Sequence, residues 1–216
     1  YAKVVRAMIP HGMLTRLDTS KAEKLEGVAA VLTAADIPGQ QNHGLVLSDW
    51  PTMVGIGESV RYVGDAIAII AAETSEIAVQ AASLVEAEFD LLPVITNPVQ
   101  ALAEDQPKIH ENGNLLKHIK VRKGDVSQGF ADSDVILEHT FHTQTTDHAF
   151  MEPECSIAVP TEDGRIEVYV GSQIPYQDRS QIAKVMGWEE KRIRIVGQHM
   201  GGGFGGKEDI AGQIHA

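Results

Sequence analysis

Cysteine is nearly absent from the sequence: Cys155 is the only one among 216 residues. An internal disulfide is therefore impossible, and an intracellular, cytoplasmic setting is the usual expectation for such a chain. The chain cannot hold an iron–sulfur cluster by itself either, because such a cluster takes about four cysteine thiolates. The fold must be stabilised by packing, and the chain is long enough to bury a core.

Basic residues and long apolar runs are scarce as well. Lys and Arg number 18 against 30 Asp and Glu, which gives a net charge of −12. This charge argues against sequence-independent binding of nucleic acid, and the short basic stretch 191–194 fits the solvated face of a strand. The longest apolar run covers residues 66–72, whereas a helix needs roughly 20 apolar residues to span a bilayer. We expect neither a nucleic acid nor a membrane as a partner.

The two ends of the sequence indicate a piece of a longer polypeptide. The chain begins at Tyr1, without a methionine and without a signal-peptide pattern. Residues 210–216 have the pattern of the first two turns of a helix, with Asp209 in place to cap it. We therefore expect the sequence to be a fragment.

Strand and helix patterns are mixed along the chain without a uniform βαβ repeat, which predicts an α+β fold. Residues 1–104 are predicted to form a first domain. Residues 105–125 are rich in turn-forming residues and poor in apolar periodicity, so they are predicted to be a linker. Residues 126–216 are predicted to be the first part of a second domain.

Local patterns predict several individual elements of the first domain. Residues 60–72 predict a buried strand, and Thr74 is the predicted N-cap of the helix that follows. Ser20 and Glu23 match a capping box that would begin a short helix.

The second domain is predicted to start with strands. Residues 135–143 alternate in a way that predicts a strand, and residues 155–171 predict a hairpin closed by Asp163 and Gly164. Pro175 is predicted to begin a helix that ends at Gly187. A strand predicted over residues 192–196 leads directly into a glycine-rich stretch.

That stretch, GGGFGGKED at residues 201–209, matches two phosphate-binding spacings. Gly201, Gly206 and Lys207 have the spacing of a P-loop, but Glu208 stands where a P-loop has the Ser or Thr that binds Mg²⁺. A dinucleotide-binding turn would need an acidic residue about 20 positions further on. A tight turn needs only one or two glycines. The five glycines between 201 and 206 therefore predict that something bulky approaches bare backbone here.

The stretch and several other segments resemble the molybdenum hydroxylases, the xanthine dehydrogenase and aldehyde oxidase family. Residues 198–208 resemble the glycine loop of that family. Segments of its small N-terminal domain are similar to VLTAADIPG at residues 31–39, RYVGDA at 61–66 and AAET at 71–74, and segments of its molybdenum-binding domain are similar to HAFMEP at 148–153 and GSQ at 171–173. The resemblance covers nearly the whole chain, and it implies an α/β-hammerhead domain followed by the beginning of the molybdenum-cofactor-binding domain.

The resemblance also implies the cofactor and the partners. The expected cofactor is a molybdenum–pterin, that is molybdopterin, with or without a cytosine dinucleotide tail. Iron–sulfur clusters and FAD are expected on partner subunits or domains, which agrees with the single cysteine. In such enzymes the protein mainly positions the cofactor and the substrate.

The resemblance also implies roles for individual residues that stand at matching positions of the family's motifs. Gln173 matches a glutamine whose amide hydrogen-bonds an oxygen on molybdenum. Phe204 and Gly205 match positions whose backbone lies beside the metal without ligating it. Glu208 matches a glutamate that contacts the heterocycle in purine-oxidising members, and its alternative role is to stabilise the start of the following helix.

The remaining polar residues are expected to have supporting roles. His148, His199, Glu152 and Glu154 could be imagined as a metal site, but the resemblance implies that the pterin holds the metal. Cys155 is expected to be a small buried residue.

The resemblance favours a purine such as xanthine or hypoxanthine, or a related N-heterocycle, as substrate. Aldehyde oxidoreductase, nicotinate dehydrogenase and 4-hydroxybenzoyl-CoA reductase remain alternatives, as does a non-catalytic assembly module. The glutamate that acts as general base in the family lies beyond residue 216, so we expect this chain alone to be inactive.

Overall fold

Strands and short helices are mixed along the chain in the computed structural model, which describes residues 1–210 and 212–216. The predicted α+β fold is confirmed. Within the described residues, the strands are β1 Ala2–Arg6, β2 Gly12–Asp18, β3 Val28–Leu32, β4 Asn42–His43, β5 Trp50–Pro51, β6 Ser59–Val60, β7 Ala66–Ala72, β8 Glu86–Leu91, β9 Ser156–Pro160, β10 Ile166–Val170 and β11 Ile193–Gly197. The α-helices are α1 Ser20–Glu23, α2 Ser75–Ser83, α3 Pro98–Ala101, α4 Val126–Ala131, α5 Pro175–Met186 and α6 Gly212–His215. Short 3₁₀ turns cover Ala34–Asp36 and Glu190–Arg192.

Strand β7 is the centre of the first half. It lies between β1 and β3 in an antiparallel sheet, and all its residues except Ala71 are buried. A strand covered on both faces has a continuous apolar sequence rather than an alternating one. Helix α2 packs over it, with Ala81 against Ile70 in one core cluster. As predicted, Thr74 caps this helix by accepting a hydrogen bond from the N–H of Ile77 at 3.2 Å.

The strand predicted over residues 60–72 is interrupted, because residues 61–65 form a turn between β6 and β7. Gly64 adopts a φ of +124° there, a conformation that favours glycine. The buried carboxylate of Asp65 closes the turn by accepting hydrogen bonds from the N–H of Arg61 at 2.7 Å and from Nε1 of Trp50 at 3.0 Å. Strand β6 then joins a different sheet, in the order β6-β2-β8.

The second half is built on a three-stranded sheet in the order β11-β10-β9. The predicted hairpin is confirmed as β9 and β10, which pair antiparallel. Strands β10 and β11 pair parallel and are connected by α5, as a parallel pair requires a crossover. Helix α5 ends at Gly187, which has the left-handed φ of +63°. Its Ile182 packs against Val168 and Ile193 in the core.

Direct hydrogen bonds connect the first half to α5 and α6. The N–H of Gly39 donates to the carbonyl of Val185 at 2.9 Å. A Cβ atom at Gly39 would lie 2.3 Å from the carbonyl oxygen of Lys184, so this close approach requires glycine. Further bonds join Gln40 to Lys184, Gly44 to Gln181, and Thr52 to His215.

Residues 95–147 form a separate compact unit. It contains α3 and α4, whose N-caps are Asn97 and Asp125. The prediction of a strand over residues 135–143 is wrong, because this segment forms no strand. Its Leu137 and Phe141 are 90% and 83% exposed. A strand needs a neighbour for its backbone groups, and no described residue pairs with this segment. The domain boundaries at 104 and 125 stay a prediction.

The start of α1 differs from its sequence prediction, and part of the last predicted helix lies outside the described residues. Ser20 is the first residue of α1 rather than its cap, and Thr19 occupies the N-cap position without a capping bond. The N–H of Ser20 instead donates to Asp18 at 3.0 Å, so the capping box that Ser20 and Glu23 predicted does not form. At the other end, the structure describes helix α6, and Ala211, which the prediction placed in this helix, lies outside the described residues.

In the described part of the chain, none of the helices combines the length and the apolar character that crossing a bilayer requires.

Candidate functional site

Gln173 and the glycine loop, defined as residues 201–206, meet because of the sheet topology. Gln173 follows β10, and the loop follows β11. The carboxyl ends of neighbouring parallel strands lie at the same edge of a sheet, where α/β proteins commonly bind ligands. The N–H of Gln198 extends the pairing beyond the strands by donating to the carbonyl of Val170 at 3.0 Å.

The side chain of Gln173 connects three parts of the loop region. Its Oε1 accepts hydrogen bonds from the N–H of Gly205 at 3.1 Å and from the N–H of Lys207 at 3.3 Å. Its Nε2 donates to Oε1 of Glu208 at 3.2 Å. Because a carboxamide nitrogen carries two hydrogens, the exposed Gln173 can donate to a second acceptor as well.

The structure thus brings together all four residues that were carried over by position: Gln173, Phe204, Gly205 and Glu208. Phe204 is 73% exposed, and Gly205 has a φ of +92°. The described contact of the Glu208 side chain is with Gln173, not with the start of α6. Whether these residues bind a cofactor or a substrate stays a prediction.

The glycines make room for side chains of the protein itself. A Cβ atom would lie 2.6 Å from Oε1 of Glu152 if placed on Gly201, and 2.1 Å from Oε1 of Gln173 if placed on Gly203. At Gly206 it would lie 2.6 Å from the ring of Phe150. These three glycines are therefore explained by internal packing, without a bound group against the bare backbone.

Backbone strain is concentrated at the same place. Among the described residues, the non-glycine residues with positive φ are Ala149, at +50°, and Phe204, at +55°. Both belong to segments of this site. Such conformations cost on the order of 1–3 kcal/mol each and persist where the surrounding structure imposes them.

Lys207 does not have the role that a P-loop template would give it. Its side chain is only 2% exposed, and Nζ lies 3.1 Å from Oε2 of Glu152. Nζ also lies 4.6 Å from the ring centroid of Phe150, which adds a cation–π attraction. The ammonium group points into the protein, so it cannot hold a phosphate on the outside of the loop. The P-loop interpretation is therefore not supported.

Glu152 holds the start of the loop as well. Its Oε1 accepts a hydrogen bond from the N–H of Gly201 at 2.6 Å. This bond, together with the ammonium group of Lys207, lowers the pKa of the Glu152 carboxyl below its usual range. The sequence showed that residue 152 belongs to a segment that resembles the family, but nothing in the sequence showed this contact across 49 positions.

The other polar residues that we considered are arranged around this contact. The ring of His148 lies against Gly206. Glu154 and His199 border a cavity of about 300 Å³ together with Glu152 and Lys207. Burial raises the pKa of Glu154, and the charge of Asp209 adds to this effect. Within residues 1–210 and 212–216, no three His, Cys, Asp or Glu side chains are grouped so that they could hold a metal ion.

Cys155 borders the same cavity. Its side chain is exposed, so the expectation that it is buried is wrong. The residue immediately precedes β9, an edge strand of its sheet, which explains why it is not covered.

Asp178 is a buried residue that the sequence analysis did not single out. It is fully buried on α5, and its Oδ1 accepts a hydrogen bond from Nε2 of Gln213 at 3.2 Å. Burial raises the pKa of its carboxyl, and the smaller opposing effects of Ser172 and Gln213 do not cancel it. Oδ2 has no hydrogen-bond partner among the described residues. Asp178 therefore connects α5 with α6.

Family models match both halves of the chain. The model described as "Aldehyde oxidase and xanthine dehydrogenase, a/b hammerhead domain" matches residues 1–93. The model described as "Molybdopterin cofactor-binding domain" matches residues 109–216, half of the chain. The chain belongs to the aldehyde oxidase and xanthine dehydrogenase family. The predicted hammerhead domain and the beginning of the molybdenum-cofactor-binding domain are confirmed.

Individual relatives agree with this assignment. The chain is 43% identical over 216 residues to a probable xanthine dehydrogenase subunit of Bacillus subtilis, covering 100% of this chain and 29% of that protein. It is 36% identical over 217 residues to the nicotinate dehydrogenase large molybdopterin subunit of Eubacterium barkeri, covering 100% of this chain and 50% of that protein. The solved aldehyde oxidoreductase from Desulfovibrio gigas superimposes with a TM-score of 0.82 at 27% identity, over 93% of this chain and 23% of that one. The chain thus spans half or less of the length of these relatives.

The donors at the site fit a molybdenum–pterin group. The exposed Gln173 amide is a neutral hydrogen-bond donor for an oxygen atom, and it bonds to Gly205, the residue after the exposed Phe204. The one ammonium group of the loop region is turned inwards onto Glu152. Neutral donors can stabilise an anionic oxygen without introducing a competing charge.

Proposed function

We propose that the whole protein containing this chain is a molybdenum hydroxylase that oxidises a purine or a related N-heterocycle. The observation that carries this proposal is the bond between Nε2 of Gln173 and Oε1 of Glu208, at 3.2 Å. It sets a neutral donor for the cofactor beside a carboxylate for the substrate, at the carboxyl ends of β10 and β11.

Each residue then has a distinct task. Gln173 donates its second amide hydrogen to an oxygen of the cofactor. Glu208 orients the heterocycle by accepting a hydrogen bond from a ring N–H, and the backbone around Phe204 and Gly205 borders the metal centre. When bound, the molybdenum–pterin supplies the oxygen transfer and accepts the two electrons. The general base belongs to another part of the protein.

The proposal extends to the cofactor form and the partners. Iron–sulfur clusters and FAD on other subunits or domains carry the electrons away, because this chain lacks the cysteines for a cluster. The pterin is expected to carry a cytosine dinucleotide or no nucleotide. Mass spectrometry of the released cofactor distinguishes the two forms.

Glu208→Gln tests the substrate assignment in the purified whole protein. A glutamine cannot supply the charge of the carboxylate, so we expect kcat/KM for xanthine or hypoxanthine to fall about 10- to 100-fold. The value for a simple aldehyde should change less than about threefold, since an aldehyde has no ring N–H to bind. The exposed turn residue Glu162, changed to Gln, is the matched control. Equal losses on both substrate classes would contradict the role given to Glu208.

Nicotinate is the second candidate substrate, because the Eubacterium barkeri relative is named a nicotinate dehydrogenase subunit. Steady-state assays with xanthine, hypoxanthine, nicotinate and aldehydes decide between these classes. A whole protein that contains no molybdenum by elemental analysis would instead support a non-catalytic assembly module.

A further inference from the structure

A single side chain, that of Glu152, attaches the glycine loop to the protein at both ends. One carboxylate oxygen accepts the N–H of Gly201 at 2.6 Å, where the loop begins. The other lies 3.1 Å from Nζ of Lys207, directly after the loop ends. The attachment comes from the segment around residue 150, which belongs to neither β10 nor β11.

This attachment reaches Gln173 through the main chain of Lys207. The N–H of Lys207 donates to Oε1 of Gln173 at 3.3 Å, and its carbonyl accepts the N–H of Gln173 at 3.0 Å. Because the Lys207 side chain is buried and bonded to Glu152, the ion pair restrains its backbone groups. The orientation of the Gln173 amide therefore depends on Glu152.

We propose that Glu152 is a positioning residue, which fixes the Gln173 amide by holding Gly201 and Lys207 and does not itself touch cofactor or substrate. The link to the molybdenum site rests on the proposed function. The link to the loop rests only on the contacts described above, so the two can be tested separately.

Two substitutions distinguish positioning from general stabilisation. Glu152→Gln keeps an oxygen acceptor for Gly201 but removes the hydrogen-bonded counter-charge of the buried Lys207 ammonium group, which is unfavourable. Lys207→Met fills similar space without a charge. Glu152→Gln should therefore make the glycine loop more mobile, and the double variant Glu152→Gln/Lys207→Met should return its mobility to that of the wild type. Glu190→Gln is the matched control, because Glu190 forms a 3.0 Å ion pair with Arg179 at a distance from the loop in sequence.

The first measurement is hydrogen–deuterium exchange in the purified whole protein, for peptides covering residues 198–210 and 66–72. We expect Glu152→Gln to raise exchange in the loop peptide about tenfold and to leave the β7 peptide unchanged, because only local opening becomes easier. The double variant and Glu190→Gln should match the wild type. The positioning role would be overturned if Glu152→Gln raised exchange equally in both peptides. It would also be overturned if exchange in the loop peptide stayed raised in the double variant.

The second measurement is the Mo(V) electron paramagnetic resonance spectrum, together with steady-state kinetics. In Glu152→Gln we expect an altered spectrum and a kcat about tenfold lower at a KM within about twofold, because transition-state rather than uniform binding is lost. A loosened loop with an unchanged spectrum and kcat would overturn the link to the metal centre. If the wild-type protein holds no molybdenum, the proposed function fails, and the exchange experiment still decides whether Glu152 positions the loop.

Discussion

Gly203 and Gln173 approach each other so closely that any side chain at position 203 would displace the Gln173 amide. A Cβ atom there would lie 2.1 Å from Oε1 and 2.7 Å from Cδ of the Gln173 side chain. The same Oε1 accepts the N–H of Gly205. The carboxamide can take part in the loop's hydrogen bonds only because residue 203 has no side chain.

Gly203→Ala is expected to displace the Gln173 amide and to destabilise the protein. Displacing the amide breaks its hydrogen bonds to the N–H groups of Gly205 and Lys207. Each such bond contributes about 0.5–1.5 kcal/mol, so the melting temperature should fall. Gly197→Ala is the control, since a Cβ atom at Gly197 would meet nothing within 4 Å. Differential scanning calorimetry of both variants tests the prediction, and equal melting temperatures would contradict it.

Asp178→Asn should change how stability depends on pH. Burial raises the pKa of this carboxyl, so the native protein binds more protons than the unfolded chain at pH values above the ordinary pKa of 3.8. Stability contributed by this group is therefore lost as pH rises from about 4 through the raised pKa.

An asparagine does not titrate, so the variant should gain stability relative to the wild type between pH 4 and pH 7. The gain is about 1.4 kcal/mol for each unit by which the pKa is raised. Urea unfolding at the two pH values measures it. A constant difference between variant and wild type would show that Asp178 does not titrate differently in the native state.

His43 is expected to give the opposite pH dependence. Burial, and secondarily the charge of His215, lower the pKa of His43 from 6.5 to about 4. Between these values the native protein binds fewer protons than the unfolded chain, so stability is lost as pH falls from 6.5 to 4. Since the ring is only half-buried, the loss attributable to it is about 2 kcal/mol or less.

His43→Gln should reduce the loss of folding free energy as the pH falls from 6.5 to 4. Unfolding midpoints in urea between pH 4 and pH 7 measure this change. His118→Gln, at an exposed histidine, is the matched control variant. An unchanged slope in His43→Gln would show that the pKa of His43 is the same in the native and the unfolded state.

The sequence predicted correctly those helix ends and turns that depend on residues adjacent in the chain. Thr74, Gly187 and the Asp163–Gly164 turn act through their own backbone neighbours, and the structure confirms all three. The segment 135–143 was wrongly predicted as a strand because alternation indicates only that a strand could form, whereas pairing depends on a neighbour elsewhere in the chain.

The site was predictable only to the extent that the family resemblance identified it. The resemblance selected Gln173 and Glu208, and the structure places them within hydrogen-bonding distance. The contacts of Glu152 with Gly201 and Lys207 link positions about 50 residues apart, and no local pattern reports on such pairs. The five glycines alone predict space for a bulky bound group, because the sequence does not show which internal side chains occupy that space.

The bonds from residues 39–52 to α5 and α6 limit how this protein can be recombined with its relatives. Gly39 meets the end of α5 without any intervening side chain, and Thr52 binds His215 just beyond the glycine loop. A chimaera that joins one relative's hammerhead to another's molybdopterin domain would have to transplant both surfaces as a matched set. Residues 39–52 of the hammerhead support α5 and α6, so we expect the sequences of these three segments to vary together among relatives.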